Sequence, residues 1–276
     1  MCMTWVAFTT AGSRVMQASK QEYSGGVIFR QLFEPESSTY TYLLGERESG
    51  KAVLIDPAVE TAERDLALVR EYGLELLATL ETHVHADHLT GALKLKHLAG
   101  SRIAGPALDE LPCTDIGVRE GTPFRVGSII LHPLFTPGHT STHHSYLLDT
   151  GDTKRVFSGD ALLIDGCGRT DFQSGDAATL YRSIHEKLFS LPDETLVYPG
   201  HDYSGRQVST IGQEKTRNPR LGGGTSQAEF LAIMDGLELA YPKKIDFAVP
   251  GNELCGECPP NVPESMRKLC DVTRQG

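Results

Sequence analysis

Apolar positions along this chain fall in short runs broken by polar and glycine-containing stretches, the pattern of strands that feed loops. Runs at 27–33, 39–45 and 52–56 predict three opening strands, the third closed by Asp56-Pro57. Residues 61–72 then take helical spacing, with Thr61 where a cap belongs and Glu63 and Asp65 in the first turn. The unbroken apolar run from Leu74 to Leu80 predicts a buried strand, and a second helix is expected over 89–98. Further strand-like runs lie at 102–104, 129–135, 144–149, 154–158 and 196–198. A helix over 176–189 carries Leu180, Ile184 and Leu188 on one stripe, and 225–240 reads as a final helix ended by Tyr241-Pro242.

Chemistry-bearing residues gather where those strands end. His83-Val84-His85-Ala86-Asp87-His88 follows the buried run directly, and alternation in extended chain lets His83, His85 and Asp87 converge. A Pro-Gly turn presents His139 in Thr136-Pro137-Gly138-His139-Thr140, the strand ending Ser158-Gly159-Asp160 presents a carboxylate, and Tyr198-Pro199-Gly200-His201-Asp202 repeats the device. A lone Gly-His or Gly-Asp is usually just a turn; four in series at strand ends make a metal site.

Composition narrows the class further. The formal charge of −10 and the absence of a basic stripe argue against nucleic acid as a partner. No apolar stretch approaches the ~18 residues of a membrane span. The six cysteines are scattered, which reads as no disulfide framework and favours a reducing compartment; Cys167 is expected to be a small buried side chain, and Cys255-Gly256-Glu257-Cys258 to carry neither redox nor metal chemistry. Residues 1–26 carry Arg14 and Lys20, recurrent Ser and Thr, and no acid before Glu22, the composition of a mitochondrial presequence, so the expected organisation is that arm followed by a single domain over 27–276.

The order of these motifs resembles the metallo-β-lactamase fold superfamily, which implies an α/β (α+β) four-layer αββα sandwich with the metal in a groove at one edge of the two sheets. Phe29-Arg30-Gln31-Leu32-Phe33-Glu34, Glu36-Ser37-Ser38-Thr39, Cys167-Gly168-Arg169-Thr170-Asp171-Phe172-Gln173 and Asn218-Pro219-Arg220-Leu221 are similar to the persulfide dioxygenases, over roughly residues 27 to 256. That resemblance implies one Fe(2+) per subunit, held by His83, His139 and Asp160, with His85, Asp87, His88 and His201 orienting those ligands. It implies glutathione persulfide and O2 as substrates, sulfite and glutathione as products, and a place in sulfide catabolism. Location would be the mitochondrial matrix in a eukaryote and the cytoplasm otherwise; a homodimer stays open.

Arg169 is the expected substrate-binding residue, because a guanidinium fork matches a glutathione carboxylate, although an ion pair with Asp171 is the competing use. Tyr203 is a second candidate for the pocket wall. His143 and His144 stand where the family more often has small or apolar residues, and alternation allows at most one to reach the site. The alternative activity is a hydroxyacylglutathione hydrolase, in which the same seven ligands hold two metals bridged by Asp160; residues 225–276 lack the basic cluster that such hydrolases use for glutathione.

Overall fold

The short runs pair into two sheets in a computed structural model that describes residues 26–271 and the backbone of Gln21–Glu22. The first sheet runs in chain order through β1 (Gln21–Glu22), β2 (Val27–Glu34), β3 (Thr39–Glu46), β4 (Lys51–Ile55), β5 (Glu75–Leu80), β6 (Arg102–Pro106) and β7 (Ile116–Val118). It is antiparallel up to β4 and parallel from β4 to β7. The parallel steps require crossovers, supplied by α1 (Ala62–Glu71) and α2 (Ala92–Ala99).

The second sheet contains β8 (Phe124–Val126), β9 (Ile129–Phe135), β10 (His144–Asp149), β11 (Lys154–Gly159), β12 (Leu196–Pro199) and β13 (Ser209–Thr210), in the spatial order β13-β12-β11-β10-β9-β8. Its one parallel pair, β11 and β12, is bridged by α3 (Ala177–Ser183). Four further helices complete the described chain: α4 (Ile211–Arg217), α5 (Gln227–Asp235), α6 (Ile245–Asn252) and α7 (Glu264–Cys270).

Burial explains the layering. Phe29, Tyr42, Leu44 and Val53 of the first sheet meet Leu131, Tyr146, Phe157 and Tyr198 of the second, with the Phe29 and Tyr198 rings 4.9 Å apart and Tyr42 and Phe157 5.0 Å apart. On the outer face of the first sheet Leu66, Val69 and Leu95 of α1 and α2 cover Leu43, Leu54 and Leu76. On the outer face of the second, Leu180 of α3 and Phe230 of α5 cover Val156 and Val197. Each such large apolar side chain contributes about 1.5–3 kcal/mol on burial. The result is the expected αββα sandwich. Every residue of β3 is buried because it has helix on one side and sheet on the other.

Four expectations are corrected. Thr61 sits at the α1 cap position, but its hydroxyl donates to Asp65 Oδ2 instead of accepting a backbone N–H. The helix predicted over 176–189 is α-helical only to Ser183 and widens into a π-turn over Ile184–Leu188. The helix predicted over 225–240 ends at Asp235, where Gly236 offers no helical preference, and it is not the last. α6 and α7 follow; both are short, and Pro250 lies inside α6, so neither writes a long apolar stripe. They pack instead as a small cluster on Val59 and Leu89.

The cysteine reading also fails. Cys113 is bonded to Cys255 across 142 positions and Cys258 to Cys270 across 12, while Cys167 is a free, buried thiol as expected. Scatter along the chain carries no information about Cα separations, which are 6.1 and 5.2 Å here. Among the described residues, no helix is long and apolar enough to cross a membrane. The basic arm at residues 1–20 lies outside the described residues.

Candidate metal centre

Parallel strands deliver the site. β4 and β5 end side by side and release Asp56 and the loop from Glu81 to Thr90; β11 and β12 end side by side and release Asp160 and His201. Ligands of parallel α/β sheets bind beyond the carboxyl ends of strands, and here two such ends face each other across the sandwich. His139 comes from the turn between β9 and β10. Gly200 lets the backbone after β12 lie against the centre: a Cβ there would sit 2.5 Å from Asp160 Oδ1.

His83, His139 and Asp160 each offer one ligand atom, and these atoms lie within 4.8 Å of one another. All three residues are buried. The hydrogen bonds around the two imidazoles point one nitrogen of each at this common point. Thr82 Oγ1 donates to Asp56 Oδ2 at 2.8 Å and accepts from His83 Nδ1 at 2.9 Å, leaving the His83 Nε2 lone pair free. His139 Nδ1 donates to the Arg169 carbonyl at 2.7 Å, leaving its Nε2 facing Asp160 Oδ2 at 3.6 Å. These tautomers follow from the hydrogen-bond network. Burial holds the His83 imidazole well below its usual pKa, so it is neutral and able to ligate.

Asp160 has complementary features. Its backbone N–H donates to His143 Nε2 at 3.1 Å, and its Oδ1 is buried with no hydrogen-bond partner among the described residues. A buried carboxylate oxygen left open beside two aimed imidazoles fits a divalent cation, since such oxygens otherwise cost folding free energy. The donor set, two imidazoles and one carboxylate, fits non-heme iron and also suits zinc or manganese.

The other four expected site residues, His85, Asp87 and His88 of the loop and His201 after β12, do different work. His85, two positions from His83, keeps its ring 4.2 Å from that of His83, while its Nε2 lies 3.2 Å from Asp56 Oδ1 and 3.4 Å from Glu81 Oε2. Burial alone would lower its pKa, but Asp56 and Glu81 hold it well above the usual value, so its Nε2 proton is committed to carboxylates. His85 groups with Asp87 and His88 beside the His83 group, because the loop leaves the extended conformation at once.

Asp87 Oδ2 accepts from His88 Nδ1 at 2.8 Å and Thr39 Oγ1 at 3.0 Å, and faces His201 Nε2 at 3.5 Å. Burial opposes its ionisation, yet His88 and His201 hold its carboxyl well below the usual range. His201 Nε2 is also 3.5 Å from Asp160 Oδ2; burial acts to lower its pKa, but Asp160 and Asp87 push it up to about 10.

Several supporting residues were not foreseen. Asp56 and Thr82 carry hydrogen bonds just described, as does His143, which belongs to the pair expected to send at most one ring to the site, and Thr39 reaches Asp87 from the Glu34–Thr39 turn, where Glu34 accepts from the Glu36 and Ser37 backbone. Their only sequence signal was position next to a motif. Of the His143 and His144 pair, His143 faces the site, its ring 5.1 Å from that of His83, while His144 packs on Phe135. Asn218 Nδ2 donates to the Gly166 carbonyl at 3.0 Å and Arg220 Nη1 to the Cys167 carbonyl at 2.9 Å, so the Asn218-Pro219-Arg220 motif braces the Arg169 loop.

A cavity of about 990 Å³ opens over the centre, with Asp160, His139, Arg169, His201 and Tyr203 in its wall. The Arg169 guanidinium spans Asp171 with two bonds of 2.6 Å, donates to the Ala240 carbonyl at 2.8 Å and lies 4.6 Å from the Phe172 ring. Those bonds hold the Asp171 carboxyl below its usual pKa. Tyr203 is 76% exposed and stacks on His201 with ring centroids 6.0 Å apart.

A two-sheet sandwich with a possible His/Asp metal site at facing strand ends is the architecture of the metallo-β-lactamase superfamily, and the profile of the Metallo-beta-lactamase superfamily matches residues 35–201. Mitochondrial persulfide dioxygenase ETHE1 of Mus musculus is 49% identical over 91% of this chain and 97% of its own length. The crystal structure of ETHE1 from Myxococcus xanthus superposes with a TM-score of 0.80 at 52% identity, covering 83% of this chain and 100% of that one. The chain belongs to the persulfide dioxygenase family of this superfamily. A hydroxyacylglutathione hydrolase of Methylococcus capsulatus is 39% identical over 60% of this chain and 62% of its own length.

Proposed function

We propose that this protein oxidises glutathione persulfide with O2 and water to sulfite and glutathione, at one iron held by His83, His139 and Asp160. The supporting observation is that the ligand atoms of His83, His139 and Asp160 gather at one point in a chain 49% identical to a persulfide dioxygenase. His85, Asp87 and His88 form a second group beside it, which the hydrolase alternative would use for its metals.

Ferrous iron in such a set supplies open positions at which a thiolate-like sulfur and O2 meet. The chain's own contribution is orientation. Thr82 and the Arg169 carbonyl fix the two ring tautomers, His143 fixes the Asp160 backbone, and the cavity receives the glutathionyl moiety. Two oxygen atoms from O2 and one from water end on the terminal sulfur, whose bond to the glutathione sulfur breaks, and that sulfur leaves as the thiol.

We place the protein in the mitochondrial matrix if its source is a eukaryote, since its mammalian relatives are named mitochondrial. The deciding experiment is anaerobic reconstitution with Fe(II), then O2 uptake with glutathione persulfide beside hydrolysis of S-lactoylglutathione. Stoichiometric O2 uptake with sulfite release is expected; thioester cleavage without O2 uptake would reverse the assignment.

Arg169 acts on substrate by its side chain and on His139 only through its backbone carbonyl, which separates the two roles. Arg169→Ala should therefore keep full iron content and raise the KM for glutathione persulfide roughly ten- to a hundredfold, the worth of a charged hydrogen bond. Iron analysis beside steady-state kinetics checks this; iron loss in that variant would assign the side chain to the metal centre.

A further inference from the structure

The C-terminal segment that the sequence left unread reaches the ligand loop from behind. Asn252, the last residue of α6, is 4% exposed. Its Nδ2 donates to the His85 carbonyl at 2.8 Å and the His88 carbonyl at 2.8 Å, and its Oδ1 accepts from the Thr90 N–H at 2.9 Å. One buried amide thus satisfies three backbone groups of the loop that carries His83. Buried backbone groups are costly to leave open, so the loop's shape depends on this side chain staying seated.

What seats it is covalent. Three positions on, Cys255 is bonded to Cys113, in the stretch between the 3-10 turn at Ala107–Asp109 and β7. The Cys255 carbonyl accepts from the Leu93 N–H at 3.1 Å, at the start of α2. The next residue, Gly256, has φ +95, and a Cβ there would meet the Thr90 carbonyl oxygen at 2.2 Å, so the backbones are in direct contact. Asp109, in the same stretch as Cys113, accepts from the Thr142 hydroxyl in the turn that carries His139. The disulfide therefore ties α6 to a stretch that also touches the other side of the centre.

We propose that Asn252 is a positioning residue for the metal-ligand loop, and that the Cys113–Cys255 disulfide keeps it seated, so that reducing this bond loosens the loop and weakens metal retention. The proposal rests on the metal reading of His83. The chemistry is thiol–disulfide exchange: a glutathione thiolate attacks the Cys113 sulfur, which is half-buried where Cys255 is buried, and Cys255 leaves as a thiolate. A second glutathione resolves the mixed disulfide, leaving glutathione disulfide and two protein thiols; two electrons pass from two thiols to one disulfide. Glutathione is the product of the proposed reaction. In a thiol-rich compartment such a bond is populated conditionally, as sensing disulfides are.

The test follows iron release from the reconstituted full chain to a chelator, with the disulfide state read by mass spectrometry. Reduction by a phosphine or by glutathione should speed release about tenfold, the lower range for losing a supporting contact. Cys113→Ser should release iron at the reduced wild-type rate and ignore reductant, whereas Cys270→Ser, which removes the other disulfide, should keep the response. Asn252→Asp retains the acceptor for Thr90 but not the two donors, and should release iron fast in both redox states with unchanged far-UV circular dichroism. Equal release rates for oxidised, reduced and Cys113→Ser protein would overturn the proposal. Absent O2 uptake with iron retained would count against the activity alone, and a wild type that takes up no iron would overturn the metal reading and this inference together.

Discussion

His139→Ala is expected to leave a folded protein that retains no iron. The residue supplies one of three ligand atoms grouped within 4.8 Å, and alanine offers no replacement. Loss of a supporting contact alone costs about 10–100-fold in metal affinity, so loss of a ligand should exceed that range and take O2 uptake below detection. The fold should survive, because His139 lies on a turn outside the two sheets and its ring adds nothing to the core clusters. Metal analysis after anaerobic reconstitution gives the measurement, with His132→Ala, an exposed histidine on β9, as the variant that keeps its iron. Full iron content in His139→Ala would remove it from the ligand set.

The second large effect is expected at Gly138. Its φ is +131, and a Cβ there would lie 2.3 Å from the Leu180 backbone nitrogen and 2.4 Å from its Cα. The turn is pressed against the first part of α3, where the Asp176 N–H donates to the Gly138 carbonyl at 2.8 Å, so neither side can give way alone. Backbone strain and overpacking together should cost about 4 kcal/mol in Gly138→Ala, and lower Tm by roughly 10 °C. Iron affinity should fall with it, since the turn aims His139. Gly151→Ala is the matched comparison: φ is +83 but nothing lies within 4 Å, so only strain of about 1 kcal/mol is expected. Similar Tm values for the two variants would show that the Leu180 contact does not constrain the turn.

The candidate site residues were legible because their residue types are rare and their placement is local. Each of His83, His139, Asp160 and His201 follows a strand or a turn that apolar periodicity or a Pro-Gly pair marks directly. The supporting groups were not. Thr82 and Asp56 are ordinary residues at strand ends, and their role exists only because β4 and β5 pair in parallel with Ile55 opposite Leu80. Asn252 is further still, 167 positions from the His85 carbonyl it bonds. Arg169 was read as a substrate anchor or a partner of Asp171, and the structure shows the Asp171 pair.

By itself, the sequence determined the strand ends that carry chemistry and the family resemblance, which in turn implied the layered architecture. Hydrophobic periodicity and ligand type are properties of short segments, so no tertiary information was needed to read them. Only the tertiary structure decided which cysteines are bonded and which amide holds the loop. Those outcomes depend on distances between segments remote in sequence, and such distances are set by sheet register and helix docking rather than by any local preference.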